Sequence, residues 1–121
     1  MNPILIYASA IVIVLTAALH SILGEKRLIA PLLAEAYGPL ASRLGRQVTR
    51  FAWHFTTVLM VLSALLLLAT PDAGVIGMPM VVVIGATYVL VGIVDGILTR
   101  GKHIGWWFLT LAGILALLAL F

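Results

Sequence analysis

The chain has 121 residues, of which 64% are hydrophobic and 9% are charged. Soluble domains carry about 25% charged residues, so this composition excludes a soluble globular protein. The sequence contains no cysteine, which excludes disulfides, iron–sulfur clusters and thiolate metal sites. A chain this apolar predicts an integral membrane protein in direct contact with the lipid bilayer.

Four apolar stretches are long enough to cross a bilayer as helices, which takes about 20 residues each. They cover residues 4–23, 51–70, 79–98 and 104–121. Between the first two, the segment 24–50 carries an apolar stripe that predicts an amphipathic helix lying in the membrane interface. The stripe repeats at every fourth position and consists of Leu28, Leu32, Ala36, Leu40, Leu44 and Val48. The expected fold is therefore one all-α domain, a polytopic membrane protein. It has four transmembrane helices and an amphipathic interfacial helix between helices 1 and 2, broken near Gly38.

All seven lysines and arginines lie in two segments, residues 26–50 and 100–102. Cytoplasmic loops collect Lys and Arg, so both segments are expected to face the cytoplasm. Both termini then lie outside the cytoplasm, and the protein is a multi-pass protein of the inner (plasma) membrane. Trp53, Trp106 and Trp107 lie at the same helix ends, where indole rings favour the headgroup level. The net charge of +3 follows from this distribution, and we expect no nucleic-acid partner.

Three of the predicted spans carry an ionisable side chain at a similar depth. From the helical rise per residue, His20, His54 and Asp95 lie about 6–7 Å inside the cytoplasmic boundary, with Glu25 at the rim. Ionisable residues at such depths usually face a bundle interior or a water-filled cavity. We predict a polar site formed by these four residues, which binds a metal ion through all four or haem b through the two histidines.

The same layer has other interpretations, namely a purely structural polar layer or a site that handles protons. Glu25 and His20 lie about 140° apart around a continuous helix, so they can meet only if helix 1 ends at Gly24. His103, beside Lys102 at the water boundary, is not expected to be a ligand. Tyr88, near mid-membrane, is expected to hydrogen-bond across the bundle, to Thr16 or Ser63.

Two further functions are open. Gly92 and Gly96 form a motif of small residues that serves close helix packing inside the bundle or, less favoured, a homo-oligomer contact. A dimer built through these glycines could act as a proton-coupled transporter in which Asp95 titrates. A chain that consists almost entirely of membrane-spanning segments could instead be an accessory subunit of a larger membrane complex. The sequence holds no hydrolase, nucleotide-binding or thiol-enzyme motif, so enzymatic activity is left undecided.

In size, in predicted helix count and in its Met-Asn-Pro start, the chain resembles the small multidrug resistance transporters. That family depends on a glutamate in the middle of its first helix, whereas the first carboxylate here is Glu25, at the helix end. The resemblance therefore implies a four-helix architecture and transfers no functional residue.

Overall fold

The computed structural model describes residues 1–121, which form helices and short connections without a strand. The helices are α1 (Pro3–Gly24), α2 (Ala30–Glu35), α3 (Arg43–Ala69), α4 (Gly77–Leu98) and α5 (Gly105–Leu118). A π-helical turn, Glu25–Ile29, joins α1 to α2, and short 3-10 helices lie at Gly38–Ala41, Thr70–Asp72 and Gly74–Ile76. The all-α class predicted from the sequence is confirmed.

Three helical stretches are long and apolar enough to cross a membrane: Pro3–Glu35, Arg43–Asp72 and Gly74–Leu98. Large apolar side chains on their outward faces, such as Val58, Leu65 and Ile97, are at least half exposed, as expected of surfaces that contact lipid. The predicted fourth span is helical over only 14 residues, a length of about 21 Å against a hydrocarbon core of about 30 Å. The structure is thus compatible with a membrane protein of three long helices and one shorter apolar helix.

The segment between the first and second spans differs from the prediction. The first helix does not end at Gly24 but continues through the π-helical turn to Glu35, where Ala36 takes a left-handed conformation with φ of 48°. Ser42 then caps α3, its hydroxyl accepting a hydrogen bond from the Gly45 N–H at 2.9 Å. The predicted interfacial stripe is therefore divided between two helices. The break near Gly38 falls at the predicted place, and α3 begins at Arg43 rather than at residue 51.

The helices pack in the order α3, α1, α5 and α4, with only a small contact closing the bundle between α3 and α4. The Asn2 N–H donates to the Ala119 carbonyl at 2.6 Å, so both chain ends lie at one end of the bundle. We call this the terminal end. The opposite end, formed by residues 24–50 and 99–104, is called the basic end, because all the lysines and arginines are there.

Small residues allow α4 and α5 to approach closely. A methyl group at Gly92 would overlap the Thr110 hydroxyl and the Trp106 carbonyl, and the ring of Trp106 lies over Gly96. The favoured interpretation of this glycine pair, close packing within the bundle, is confirmed. A homo-oligomer contact through the same two glycines stays a prediction. It would require α4 to separate from α5 along the face that carries these glycines.

Two polar side chains within the bundle, Ser9 and Tyr88, hydrogen-bond to neighbouring helices. The buried Ser9 donates to the Ala112 carbonyl on α5 at 2.8 Å. The Ser63 hydroxyl donates to the carbonyl of Met60 at 2.7 Å, so in its contact with Tyr88, also at 2.7 Å, the tyrosine hydroxyl is the donor. The predicted cross-bundle bond of Tyr88 is thus confirmed, with Ser63 as its partner.

Candidate functional site

His20 and Trp53 join α1 to α3 at the basic end. Their rings stack with centroids 4.1 Å apart and planes 11° from parallel. The indole Nε1–H donates to the His20 carbonyl at 3.2 Å. Thr56 donates its hydroxyl proton to the Trp53 carbonyl at 2.6 Å, so His20 Nε2–H is the donor in the contact with Thr56 Oγ1 at 2.9 Å. The sequence placed Trp53 at the interface and gave no sign of this pairing.

A second cluster lies beside this pair and consists of Ser21, Glu25, Arg50 and His54. The two oxygens of Glu25 have different partners: Arg50 Nη2 at 2.9 Å and His54 Nε2 at 3.2 Å. The other imidazole nitrogen, Nδ1, contacts the Ser21 hydroxyl at 3.0 Å. In the neutral tautomer protonated on Nε2, the ring donates to Glu25 and accepts from Ser21, so every contact is satisfied. The π-helical turn that begins at Glu25 directs this carboxylate to α3 rather than to His20.

Asp95 belongs to neither cluster. Its Oδ2 lies 2.6 Å from Nδ1 of His103, and its backbone carbonyl accepts from the Thr99 hydroxyl at 2.7 Å. The tight connection between α4 and α5 makes this contact possible, since Arg100 and Gly101 both take positive φ and reverse the chain within a few residues. His103, which sequence reasoning set aside as a ligand, is therefore the partner of Asp95.

The predicted metal site is not supported by the structure. His20, His54, Asp95 and Glu25 were expected to converge, but no group of three or more His, Asp or Glu side chains is placed to hold a metal ion. Of the four residues, only Glu25 and His54 contact each other. Asp95 is separate because α4, which carries it, packs on α5 and barely contacts α3. Ligation of a haem iron by both predicted histidines would require His54 to release Ser21 or Glu25.

A cavity of about 440 Å³ opens at the basic end between α1, α3 and the start of α5. Its walls are mainly apolar and include Leu23, Met60 and Phe108. The ionisable residues that line it are His20, Arg27, Lys102 and His103, and none is acidic. This volume is within the range of small-molecule sites, about 300–1,000 Å³.

The two permanent cations of this cavity lack anionic partners. Neither Arg27 nor Lys102 forms an ion pair, and the only carboxylate joined to a lining residue is Asp95, through His103. His103 uses Nδ1 for that contact, and its Nε2 has no hydrogen-bond partner. Sequence reasoning singled out His20 alone among these four residues. The uneven placement of Lys and Arg was the available signal, but it was interpreted only as topology.

The chain matches no protein-family model, no curated protein and no solved structure.

Proposed function

We propose that this protein is a four-span protein of the plasma membrane whose cavity at the basic end binds an amphiphile with an oxyanion head, a carboxylate or a phosphate, on an apolar tail. The observation that carries the proposal is the lining of the cavity: apolar walls, four basic side chains and no carboxylate. Such a lining complements both parts of an anionic amphiphile at once.

The membrane topology in this proposal has both termini outside the cytoplasm and the basic end inside it. All lysines and arginines lie at one end of the bundle, and Asn2 contacts Ala119 at the other. The short α5 can serve as the fourth span because it packs along both α1 and α4. A hydrophobic segment shorter than the bilayer is accommodated by local thinning at modest cost.

The head of the ligand would bind between Arg27 and Lys102. Hydrogen bonds from these cations to carboxylate or phosphate are charge-assisted and about twice as strong as neutral ones. His103 lines the same cavity, and the Asp95 carboxylate holds its ring through Nδ1 at 2.6 Å, which leaves Nε2 for the ligand. The tail would follow the apolar wall that Leu23, Met60 and Phe108 form.

Fluorescence quenching tests this proposal, because Trp53 lines the cavity. In a full-length chain that keeps Trp53 as its sole tryptophan (Trp106→Phe, Trp107→Phe), dibromostearate should quench the emission saturably. The uncharged methyl ester should quench it much less. A lysophosphatidate and oleate, used as competitors, then show whether phosphate or carboxylate is the preferred head.

The matched variants are Arg27→Gln with Lys102→Gln, against Lys26→Gln, which removes a neighbouring charge outside the cavity. Loss of charge-assisted bonds worth about 1.5–3 kcal/mol each should weaken dibromostearate binding by tenfold or more in the double variant. Lys26→Gln should bind like the parent chain. Equal quenching by acid and methyl ester, or equal affinity in all variants, would overturn the proposal. A Soret band in the purified protein would show haem in place of the amphiphile.

A further inference from the structure

A second basic depression lies on the outside of the bundle, where α2 faces the start of α3. This cleft has a volume of about 630 Å³, and its apolar lining, called the floor below, consists of α2 residues such as Leu33 together with Phe51. Its rim is formed by Arg43, Arg46, Gln47 and Arg50. No acidic residue lines it. The arginines recur at spacings of three and four, which places them along one face of α3.

The three arginines differ in how much of their bonding capacity is already used. Arg50 is held by Glu25 at 2.9 Å. Arg46 donates to the carbonyls of Leu40 and Ala41, both at 2.8 Å, and so fixes the turn before α3. Arg43 forms no ion pair and no side-chain hydrogen bond, and neither does the amide of Gln47. The cleft therefore presents two uncommitted donor groups on a rim that is already positively charged.

The length of α3 places this rim at the level of lipid headgroups. Its 27 residues extend about 40 Å, longer than the hydrocarbon core of about 30 Å. The first eight residues of the helix hold all its arginines and rise about 12 Å before the apolar run that begins at Phe51. A lipid phosphate at this level would face the arginines, while an acyl chain would descend along Phe51 and the α2 floor.

We propose that this cleft is a binding site for an anionic phospholipid of the surrounding bilayer, held by its phosphate on Arg43 and Gln47 with Arg46 and Arg50 beside it. Basic pockets at the cytoplasmic side of membrane helices are a recurring way to hold anionic headgroups. The proposal requires the membrane placement of the basic end, but it does not depend on the ligand of the internal cavity.

Native mass spectrometry of the full chain, released from a neutral detergent that contains equal amounts of phosphatidylglycerol and phosphatidylcholine, tests this site. The parent chain should retain one phosphatidylglycerol in preference to phosphatidylcholine, by tenfold or more. Arg43→Gln with Gln47→Ala should lower that preference to near unity. Arg100→Gln removes the same charge from the α4–α5 connection, outside the cleft, and should leave the preference unchanged.

Several results would overturn the proposal. A preference that survives in the double variant, or that falls equally in Arg100→Gln, would show attraction to general surface charge only. Displacement of the lipid by millimolar inorganic phosphate would show a site for a soluble anion. If the double variant does not fold, Arg43→Gln alone removes the uncommitted cation, and an unchanged preference there would also refute the site. Arg27→Gln with Lys102→Gln should keep the phosphatidylglycerol preference, which separates this site from the cavity.

Discussion

Replacement of Gly24 by alanine tests the packing of α1 on α3, because helix propensity and side-chain packing predict opposite changes in the free energy of unfolding. Gly24 has helical dihedral angles, φ of −63° and ψ of −44°, in the middle of a long helix. Helix propensity alone predicts that alanine would stabilise the protein there by about 1 kcal/mol. The structure predicts the opposite, because the added methyl group would lie 2.7 Å from Cε2 and 2.9 Å from Nε1 of Trp53.

The size of the loss in stability follows from the contacts that the Trp53 indole would lose if the added methyl group displaced it. The overlap itself costs about 1–3 kcal/mol when a packed site is overfilled. Displacement also weakens the stack on His20, worth about 0.5–1.5 kcal/mol, and the bond from Nε1–H to the His20 carbonyl. Interhelical hydrogen bonds in membrane proteins average about 0.6 kcal/mol. After the gain in helix propensity, Gly24→Ala should lower the free energy of unfolding by about 1–4 kcal/mol.

The assay is unfolding of the purified protein by sodium dodecyl sulfate in mixed micelles, followed by far-ultraviolet circular dichroism. The same substitution in a Trp53→Ala background provides the control, since no indole is left to clash. There Gly24→Ala should raise the free energy of unfolding, by up to about 1 kcal/mol. If Gly24→Ala stabilises the parent chain, or changes the free energy of unfolding in the same direction in both backgrounds, the packing of Gly24 on Trp53 is not as described.

Three further predictions follow from the remaining contacts. Tyr88→Phe removes the bond to Ser63 and should lower the free energy of unfolding by about 0.6 kcal/mol, an effect that disappears when Ser63→Ala is already present. Gly92→Ala forces α4 and α5 apart and should lower the same free energy by about 1–3 kcal/mol in that assay; an unchanged transition would refute the close contact. His103→Ala should weaken dibromostearate binding several-fold, whereas His54→Ala should leave it unchanged, because His54 faces Ser21 and Glu25 outside the cavity. The quenching titration would contradict this assignment if His54→Ala had the larger effect.

Much of the architecture was accessible from hydropathy and charge alone. Apolar runs located the long helices, and the Lys and Arg distribution located the basic end. The conformation of the connection before α3 could not be predicted from hydropathy and charge. A four-residue apolar repeat is compatible with one helix or with two, and the outcome depended on the left-handed turn at Ala36 and the cap at Ser42. Neither residue type commits the backbone to that conformation on its own.

The sequence predicts a common depth for the candidate residues, but it does not predict their lateral arrangement. Helical rise placed His20, His54 and Asp95 at one level, yet residues meet only when their helices are neighbours. Since α4 packs against α5, Asp95 contacts His103 and not the histidines of α1 and α3. The order of the helices in the bundle depends on side-chain packing over their whole length, such as the close approach at Gly92. Periodicity within single helices does not encode that order.

Photoaffinity labelling of the full chain with a diazirine fatty acid tests the central claim most directly, because it reports where an anionic amphiphile binds. We expect adducts on the cavity wall, at residues such as Leu23, Met60 and Phe108, that disappear when excess unlabelled oleate is added. Adducts confined to outward, lipid-facing side chains such as Val58 and Leu65, and unaffected by oleate, would contradict it.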